Sequence, residues 1–400
     1  MEAIILAGGL GTRLRSVVSE VPKCMAPVDG KPFLGYLLDW LARYGISRVI
    51  LSVGYLREVI FQYIASQEWP FEVVFSVEET PLGTGGGIRL ALQKCRENQV
   101  YVVNGDTFFP VELDRMPFSA PVTIALKPMH DFDRYGKVDF DGELVKGFHE
   151  KEPCQEGLVN GGIYALDRSQ LDLCLMPARF SFENDVLREL APVGQVAGWV
   201  HDGYFIDIGI PSDYEVAQRE LPEAEAVLSA SDRVMATTAE TLFLDRDGVI
   251  NRWLPGAYVR TWEDFRFLPG ILSCLRRWSE RFRHILVVSN QRGVAKGKVR
   301  PEDLEIIHGK MCDAIRSAGG RIDGIYVCTS LAEDDPFRKP QTGMFEAACR
   351  DFPDIRADRS VMLGDSESDM RFARNCGMEG ILMETAALTL RFQGGASSDS

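Results

Sequence analysis

From the first residue to about 220, short apolar runs alternate with segments whose apolar positions recur at helical spacing. Runs at 3–7, 48–53, 72–77, 100–104 and 122–126 predict strands, and 34–44, 57–66 and 87–95 predict helices. Shorter strands are expected at 137–139, 144–148 and 159–166, with helices at 182–190 and 211–220. The main strands read as short, mostly apolar runs that look buried, and their alternation with helices points to a parallel sheet covered on both faces. A second alternation opens at 241–245. It continues through strands at 284–289, 324–328, 360–363 and 380–383 and helices at 271–280, 301–317, 343–351 and 368–376. The expected class is α/β, with two doubly wound domains. The stretch 220–238 (ELPEAEAVLSASDRVMATT) has weak helical character and then loses its period. The division expected is 1–220, a linker at 221–238, a second domain at 239–387 and a flexible tail at 388–400. The halves share an alternation but no repeated motif.

Composition narrows the classes. Four hundred residues exceed one ordinary core, and an apolar fraction of 46% is that of a globular protein. A net charge of −14 argues against a nucleic-acid-wrapping protein, although small phosphorylated substrates need only local cations. Nine cysteines without a C-x-x-C pair indicate reduced thiols and a cytoplasmic location. No apolar run approaches about 18 residues and no basic n-region opens the chain, so neither membrane spanning nor export is expected.

Candidate chemistry begins where the first strand ends, at Leu6-Ala-Gly-Gly-Leu-Gly-Thr-Arg-Leu14. Gly8, Gly9 and Gly11 let the backbone turn sharply, and successive N–H groups in such a turn form an anion-binding concavity. Arg13 and Lys23 add cations suited to phosphate oxygens. Taken alone, the glycines also fit a plain strand-to-helix turn. Asp106 (Val-Asn-Gly-Asp-Thr) and Asp207 (Phe-Ile-Asp-Ile-Gly) follow apolar runs, where a carboxylate from each of two strand ends could hold Mg²⁺. Each by itself also reads as a turn or helix-cap residue.

The pattern Gly-Gly-x-Gly-Thr-Arg-Leu followed by Pro22-Lys23 resembles the signature of the sugar-nucleotide pyrophosphorylases, over nearly all of 1–219. The resemblance implies a Rossmann-like nucleotidyltransferase fold. It assigns Leu6, Gly8, Gly9, Gly11 and Thr12 to the nucleotide, with Arg13 and Lys23 on its phosphates. Pro81-Leu-Gly-Thr-Gly-Gly86 looks like the family's second glycine-rich segment, placing Gly83 and Thr84 near the base. Gly136, Glu150, Lys151, Asn160 and Gly161 match positions that surround the sugar phosphate. From the residues alone, Glu150-Lys151 is equally a solvated charge pair. Glu152 precedes the proline of the commoner Glu-Lys-Pro, and Ile210 replaces a frequent Thr; neither change removes a proposed metal ligand. The implied chemistry is in-line attack of a sugar 1-phosphate on the α-phosphate, with Mg²⁺ held by Asp106 and Asp207.

The second half carries Leu242-Phe-Leu-Asp-Arg-Asp-Gly-Val-Ile-Asn251, which resembles the first motif of the haloacid-dehalogenase-like phosphatases. The family likeness makes Asp245 the nucleophile and Asp247 the acid/base. Ser289 and Asn290 of Ser-Asn-Gln, with Arg338, would bind the phosphoryl group. Lys339 would offset its charge, and Asp365 would complete a Mg²⁺ site with Asp245 and the Asp247 carbonyl. Asp369 fits either a supporting carboxylate or a helix-start residue. More narrowly, these motifs resemble the heptose 1,7-bisphosphate and histidinol-phosphate phosphatases. The zinc loop common in those relatives retains only Cys328 here, so no structural zinc is expected.

The opening segment also resembles the D-glycero-D-manno-heptose 1-phosphate guanylyltransferases. Together the resemblances imply a bifunctional enzyme: a phosphatase leaves heptose 1-phosphate, which is then joined to GMP from GTP. The partners implied are GTP or another nucleoside triphosphate and heptose phosphates, with no nucleic acid and no membrane. A homo-oligomer fits the sequence as well as a monomer. The same chemistries on another sugar or with UTP or CTP stay open, as does a noncatalytic binding or regulatory role for one half.

Overall fold

Contacts divide the chain into two α/β units, Met1–Arg219 and a second from Glu220 onward. The computed structural model describes residues 1–9, 14, 18 and 20–384. The expected tail at 388–400 lies outside the described residues.

The first unit is built on a nine-stranded sheet. Glu2–Leu6 lies between Gln99–Asn104 and Arg48–Val53, parallel to both, and Glu72–Val77 extends the parallel part. Every residue of Arg48–Val53 is buried, which explains its mostly apolar sequence. The sheet is not parallel throughout: Cys154–Asp167 pairs antiparallel with Gln99–Asn104, Val122–Phe132 and Gly136–Phe140. A further strand, Val196–Val200, joins Val122–Phe132 in parallel. Its Gly198 weakened the strand pattern; a Cβ there would lie 2.5 Å from the Phe140 ring, so the glycine serves close packing.

The chain order explains where a ligand can sit. From Glu2–Leu6 the connections move outward to Arg48–Val53 and Glu72–Val77, then return to the other side at Gln99–Asn104. The connections diverge there, leaving a crevice beyond the carboxyl ends of Glu2–Leu6 and Gln99–Asn104, the usual ligand site of open α/β sheets.

Five parallel strands form the second sheet, in the order Gly324–Cys328, His284–Asn290, Thr241–Leu244, Ser360–Gly364 and Glu379–Leu382. The direction reverses beside Thr241–Leu244, so Asp245 and Asp365 emerge side by side from neighbouring strand ends. The expected loss of helical period after 220 does not occur. One helix runs Pro211–Ala236 despite Pro222. Val227, Ala230 and Val234, three and four residues apart, are buried on the second unit's core and hold its last turns.

Trp278 on helix Ile271–Arg281 is fully buried in that core and its indole donates to Ser231 Oγ at 3.1 Å. Trp278→Ala should therefore cost about 3–5 kcal/mol of stability, measured as the shift of the second unit's urea-unfolding midpoint. A shift within the error of the wild type would refute the packing role.

Candidate active sites

In the first unit, two adjoining cavities of about 300 and 800 Å³ open at the crevice. Leu6, Gly8, Gly9, Lys23, Gly83 and Thr84 line the smaller one. Gly11, Thr12 and Arg13 lie outside the described residues. Glu78, which the sequence reading passed over as the residue after a strand, ties this cavity together. Its carboxylate accepts from Ser52 Oγ at 2.9 Å and from the Leu82 N–H at 3.0 Å. A Cβ at Gly8 or Gly87 would come within 2.9 Å of it, so both glycines are needed for the approach.

The second glycine-rich segment is a helix from its start: Gly83–Leu92 is helical, four residues earlier than expected. The glycines let this helix press onto 178–180, since a Cβ at Gly85 would sit 2.2 Å from the Phe180 ring. Gly83 has φ +74° and a Cβ there would meet the Phe180 carbonyl at 2.4 Å, so the position excludes side chains. Thr84 faces the cavity, but its hydroxyl donates to Glu183 at 2.6 Å and accepts from the Phe182 N–H at 2.9 Å. Its hydrogen bonds therefore serve the packing of 180–183.

Gly136, Glu150, Lys151, Asn160 and Asp207 line the larger cavity. Gly161 does not; Gly162 does, while Gly161 packs where a Cβ would lie 2.5 Å from Phe109. Asn160 donates to Tyr164 Oη at 3.0 Å and accepts from the Gly162 N–H at 2.9 Å. Glu150 is solvent-exposed and pairs with Arg188 at 2.6 Å, an arrangement free to exchange for a ligand.

Asp106 and Asp207 meet because Ile206–Asp207 pairs antiparallel with Thr107–Phe108. Both converge on the Lys23 ammonium, Asp106 in direct contact and Asp207 at 3.6 Å. Two carboxylates against one ammonium leave a net negative charge, a donor set suited to a hard divalent cation. Burial, with the Asp106 charge behind it, pushes the adjacent Cys24 thiol up to about 12, so no thiolate is available.

In the second unit a cavity of about 200 Å³ gathers Asp245, Asp247, Ser289, Asn290, Lys339 and Asp365. The Lys339 ammonium lies 2.9 Å from Asp245 and 2.5 Å from Asp369. Asp369 fills both roles expected of it, because its other oxygen caps helix Glu367–Cys376 through Ser366. Buried carboxylate oxygens of Asp245, Asp365 and Asp369 lie within 4.8 Å of one another. Three carboxylates to one ammonium again fit a divalent cation. Burial pushes Asp245 up to about 6; Lys339 opposes this, and Asp369 and Asp247 add to it. Gly248, at φ +96°, is obligatory: a Cβ would lie 1.8 Å from Asp365.

Asp247 is held by a set invisible to motif spacing. The buried Arg246 guanidinium donates to both its oxygens at 2.9 and 2.8 Å, Asn251 at 2.9 Å and Gln291 at 2.8 Å. Burial works to raise Asp247, but Arg246 and these hydrogen bonds outweigh it and hold it below the ordinary range. Two expected phosphate contacts take other roles. The Asn290 amide clamps the Lys339 backbone, donating to its carbonyl at 3.1 Å and accepting from its N–H at 3.0 Å. Arg338 is absent from the cavity lining; its guanidinium donates to the Leu331 carbonyl at 2.8 Å and pairs with Glu333 at 3.7 Å.

The chain belongs to the nucleotidyl transferase family, whose pattern matches residues 2–224. A second family, described as HAD-hydrolase-like, matches 336–389. The first unit is similar to D-glycero-alpha-D-manno-heptose 1-phosphate guanylyltransferase of Aneurinibacillus thermoaerophilus, 47% identical over 55% of this chain and 98% of that protein. It is also similar to the crystal structure of HddC from Yersinia pseudotuberculosis complexed with GMP-PN (36% identity, TM-score 0.50, 54% of this chain and 97% of that chain). D,D-heptose 1,7-bisphosphate phosphatase from B. bronchiseptica, complexed with magnesium and phosphate, matches at 29% identity and TM-score 0.36 over 39% of this chain and 87% of that chain.

His308 Nε2 lies 3.1 Å from Arg246, and burial, then the guanidinium, push its imidazole down to about 4. The unfolded chain takes up this proton near pH 6.5 while the folded one does not. The stability is therefore intact above pH 6.5 and is lost as pH falls from there toward 4. Acidification from pH 7 to 5 should cost about 2 kcal/mol through this group. Denaturant titrations at both pH values should show that loss reduced in His308→Gln; an unchanged loss would remove His308 as its source.

Proposed function

We propose that the first unit transfers GMP from GTP to a heptose 1-phosphate, and that the second removes a phosphate from the corresponding heptose bisphosphate. The observation that carries the first part is the meeting of Asp106, Asp207 and Lys23 where two cavities adjoin, one walled by glycines and one by polar side chains. The similarity to guanylyltransferases named for heptose 1-phosphate supports the choice of base and sugar. In this proposal the two activities reside in separate domains, 1–220 and 239–387, and the connector at 221–238 is largely the end of the helix Pro211–Ala236, which packs on the second unit's core.

In the first unit the glycine-walled cavity receives the nucleotide and the larger cavity the sugar 1-phosphate. Lys23 exchanges its carboxylate contacts for phosphate oxygens, and the sugar phosphate attacks the α-phosphorus in line. Mg²⁺ held by Asp106 and Asp207 would offset the charge gathering on the departing pyrophosphate. The protein positions and neutralises; it contributes no nucleophile.

In the second unit Asp245 attacks the phosphoryl phosphorus and the sugar–oxygen bond to phosphorus breaks. Asp247 gives its proton to the leaving oxygen, then accepts one from the water that cleaves the aspartyl phosphate. Lys339 holds Asp245 in line, and Ser289 receives a phosphoryl oxygen. Asp245, Asp365 and the Asp247 carbonyl are the groups that would hold Mg²⁺. The protein works in the cytoplasm.

Incubating the protein with D-glycero-D-manno-heptose 1-phosphate, Mg²⁺ and each of GTP, UTP, CTP and ATP should release pyrophosphate fastest with GTP. Release with UTP alone would overturn the guanylyl assignment. Asp245→Asn should lower phosphate release from the heptose 1,7-bisphosphate by at least about a thousandfold and leave pyrophosphate release within twofold. Equal loss of both would contradict two separate sites.

A further inference from the structure

Asn104 ends the strand Gln99–Asn104 and, with Asp106, is one of two described residues that line both cavities of the first unit. Its backbone is fixed by register against Leu6, and the Gly105 N–H donates to the Leu6 carbonyl at 3.1 Å. Its side chain is held against Gly162, where φ is +72° and a Cβ would lie 2.7 Å from Nδ2. Yet Asn104 Oδ1 is buried and has no hydrogen-bond partner among the described residues.

A buried acceptor left unpaired costs free energy, whereas an apolar residue of the same size would fill that space at no such cost. The nearby amide of Asn160 makes the contrast: its oxygen takes the Gly162 N–H and its nitrogen reaches Tyr164. Both Asn160 amide atoms thus have partners inside the protein. Asn104, rigidly backed and two residues from Asp106, has no such partner for its oxygen among the described residues.

We infer that Asn104 is a substrate-contact residue, its Oδ1 accepting a hydrogen bond from a hydroxyl of one of the two substrates that meet at this wall. This rests on the nucleotidyl-transfer reading of the first unit. Its place beside Asp106 puts that hydroxyl close to the reacting phosphates. Two sources have this chemistry: the sugar hydroxyl on the carbon next to the phosphate-bearing one, and a ribose hydroxyl of the nucleotide. Once the hydroxyl is bound, the Asn104 acceptor is satisfied, and a substrate lacking it leaves the cost in place.

The test uses the full-length protein and pyrophosphate release, first as wild type with three substrate pairs: GTP with heptose 1-phosphate, 2′,3′-dideoxy-GTP with heptose 1-phosphate, and GTP with the 2-deoxy sugar 1-phosphate. One deoxy substrate should lower kcat/KM by about 10- to 100-fold. Asn104→Leu should lower kcat/KM for the full pair by a similar factor and abolish discrimination against that same deoxy substrate, while the ratio for the other stays at its wild-type value. Loss confined to the dideoxynucleotide assigns the hydroxyl to ribose; loss confined to the deoxy sugar assigns it to the sugar. A wild type indifferent to both deoxy substrates overturns the inference without any variant. So does an Asn104→Leu enzyme that keeps both discriminations. No turnover of the full pair by the wild type would instead remove the nucleotidyl-transfer reading, and this inference with it.

Discussion

A lysine ammonium held between two carboxylates, at least one of them just beyond the carboxyl end of a strand, recurs in both units, and each site is assembled around it. Lys23 lies between Asp106 and Asp207; Lys339 lies between Asp245 and Asp369. Such a triad is costly to gather, because each charge gives up water and the two carboxylates repel one another. It persists because the surrounding backbone leaves no alternative position. In the first unit a two-residue strand pair forces Asp207 beside Asp106. In the second, Asp245 and Asp365 extend adjacent parallel strands, while the Asn290 amide fixes the Lys339 backbone on both sides.

The two triads differ in burial, and the difference matches the chemistry proposed for each. The Asp106 side chain is 37% exposed, whereas that of Asp245 is 12%. A carboxylate that only holds a cation on a solvated phosphate chain benefits from staying wet. One that must attack phosphorus benefits from partial desolvation, provided a neighbouring cation keeps it ionised. Lys339 is that cation: burial works against its charge, but Asp245 and Asp369 outweigh burial and raise it above the ordinary lysine range.

The strands, their order in the chain and the carboxylates at their ends were legible because a buried parallel strand writes itself as an apolar run and the next residue is where chemistry can begin. Residues whose role depends on a partner distant in sequence were not. Thr84 and Glu183 are 99 positions apart, and nothing local marks the threonine hydroxyl as a packing contact. Glu78 reads as an ordinary charge after a strand, and its meaning lies in Gly8, Ser52 and Gly87. The helix expected at 87–95 begins at Gly83 instead, because only glycines let its first turn reach Phe180, a contact that local propensity does not carry. Arg338 adjoins Lys339 in sequence, but its guanidinium binds the Leu331 carbonyl and Glu333 instead of lining the cavity, a distinction no motif carries.

Arg246 is the residue whose consequence reaches furthest into the reaction proposed for the second unit. Lying between Asp245 and Asp247, it resembles filler in the Asp-Arg-Asp spacing, yet its guanidinium is buried and grips both oxygens of Asp247. The resting Asp247 is thereby kept ionised, although a general acid must carry a proton when the leaving oxygen departs. These two demands are reconciled by the substrate itself. A phosphoryl group entering beside Asp247 brings negative charge into the same small cavity, and like charge raises a carboxylate toward protonation. In the phosphatase reading proposed for this unit, the grip of Arg246 thus holds Asp247 aligned for the proton it takes up as the phosphoester binds. The same guanidinium then favours release of that proton to the leaving oxygen, since it stabilises the carboxylate that results.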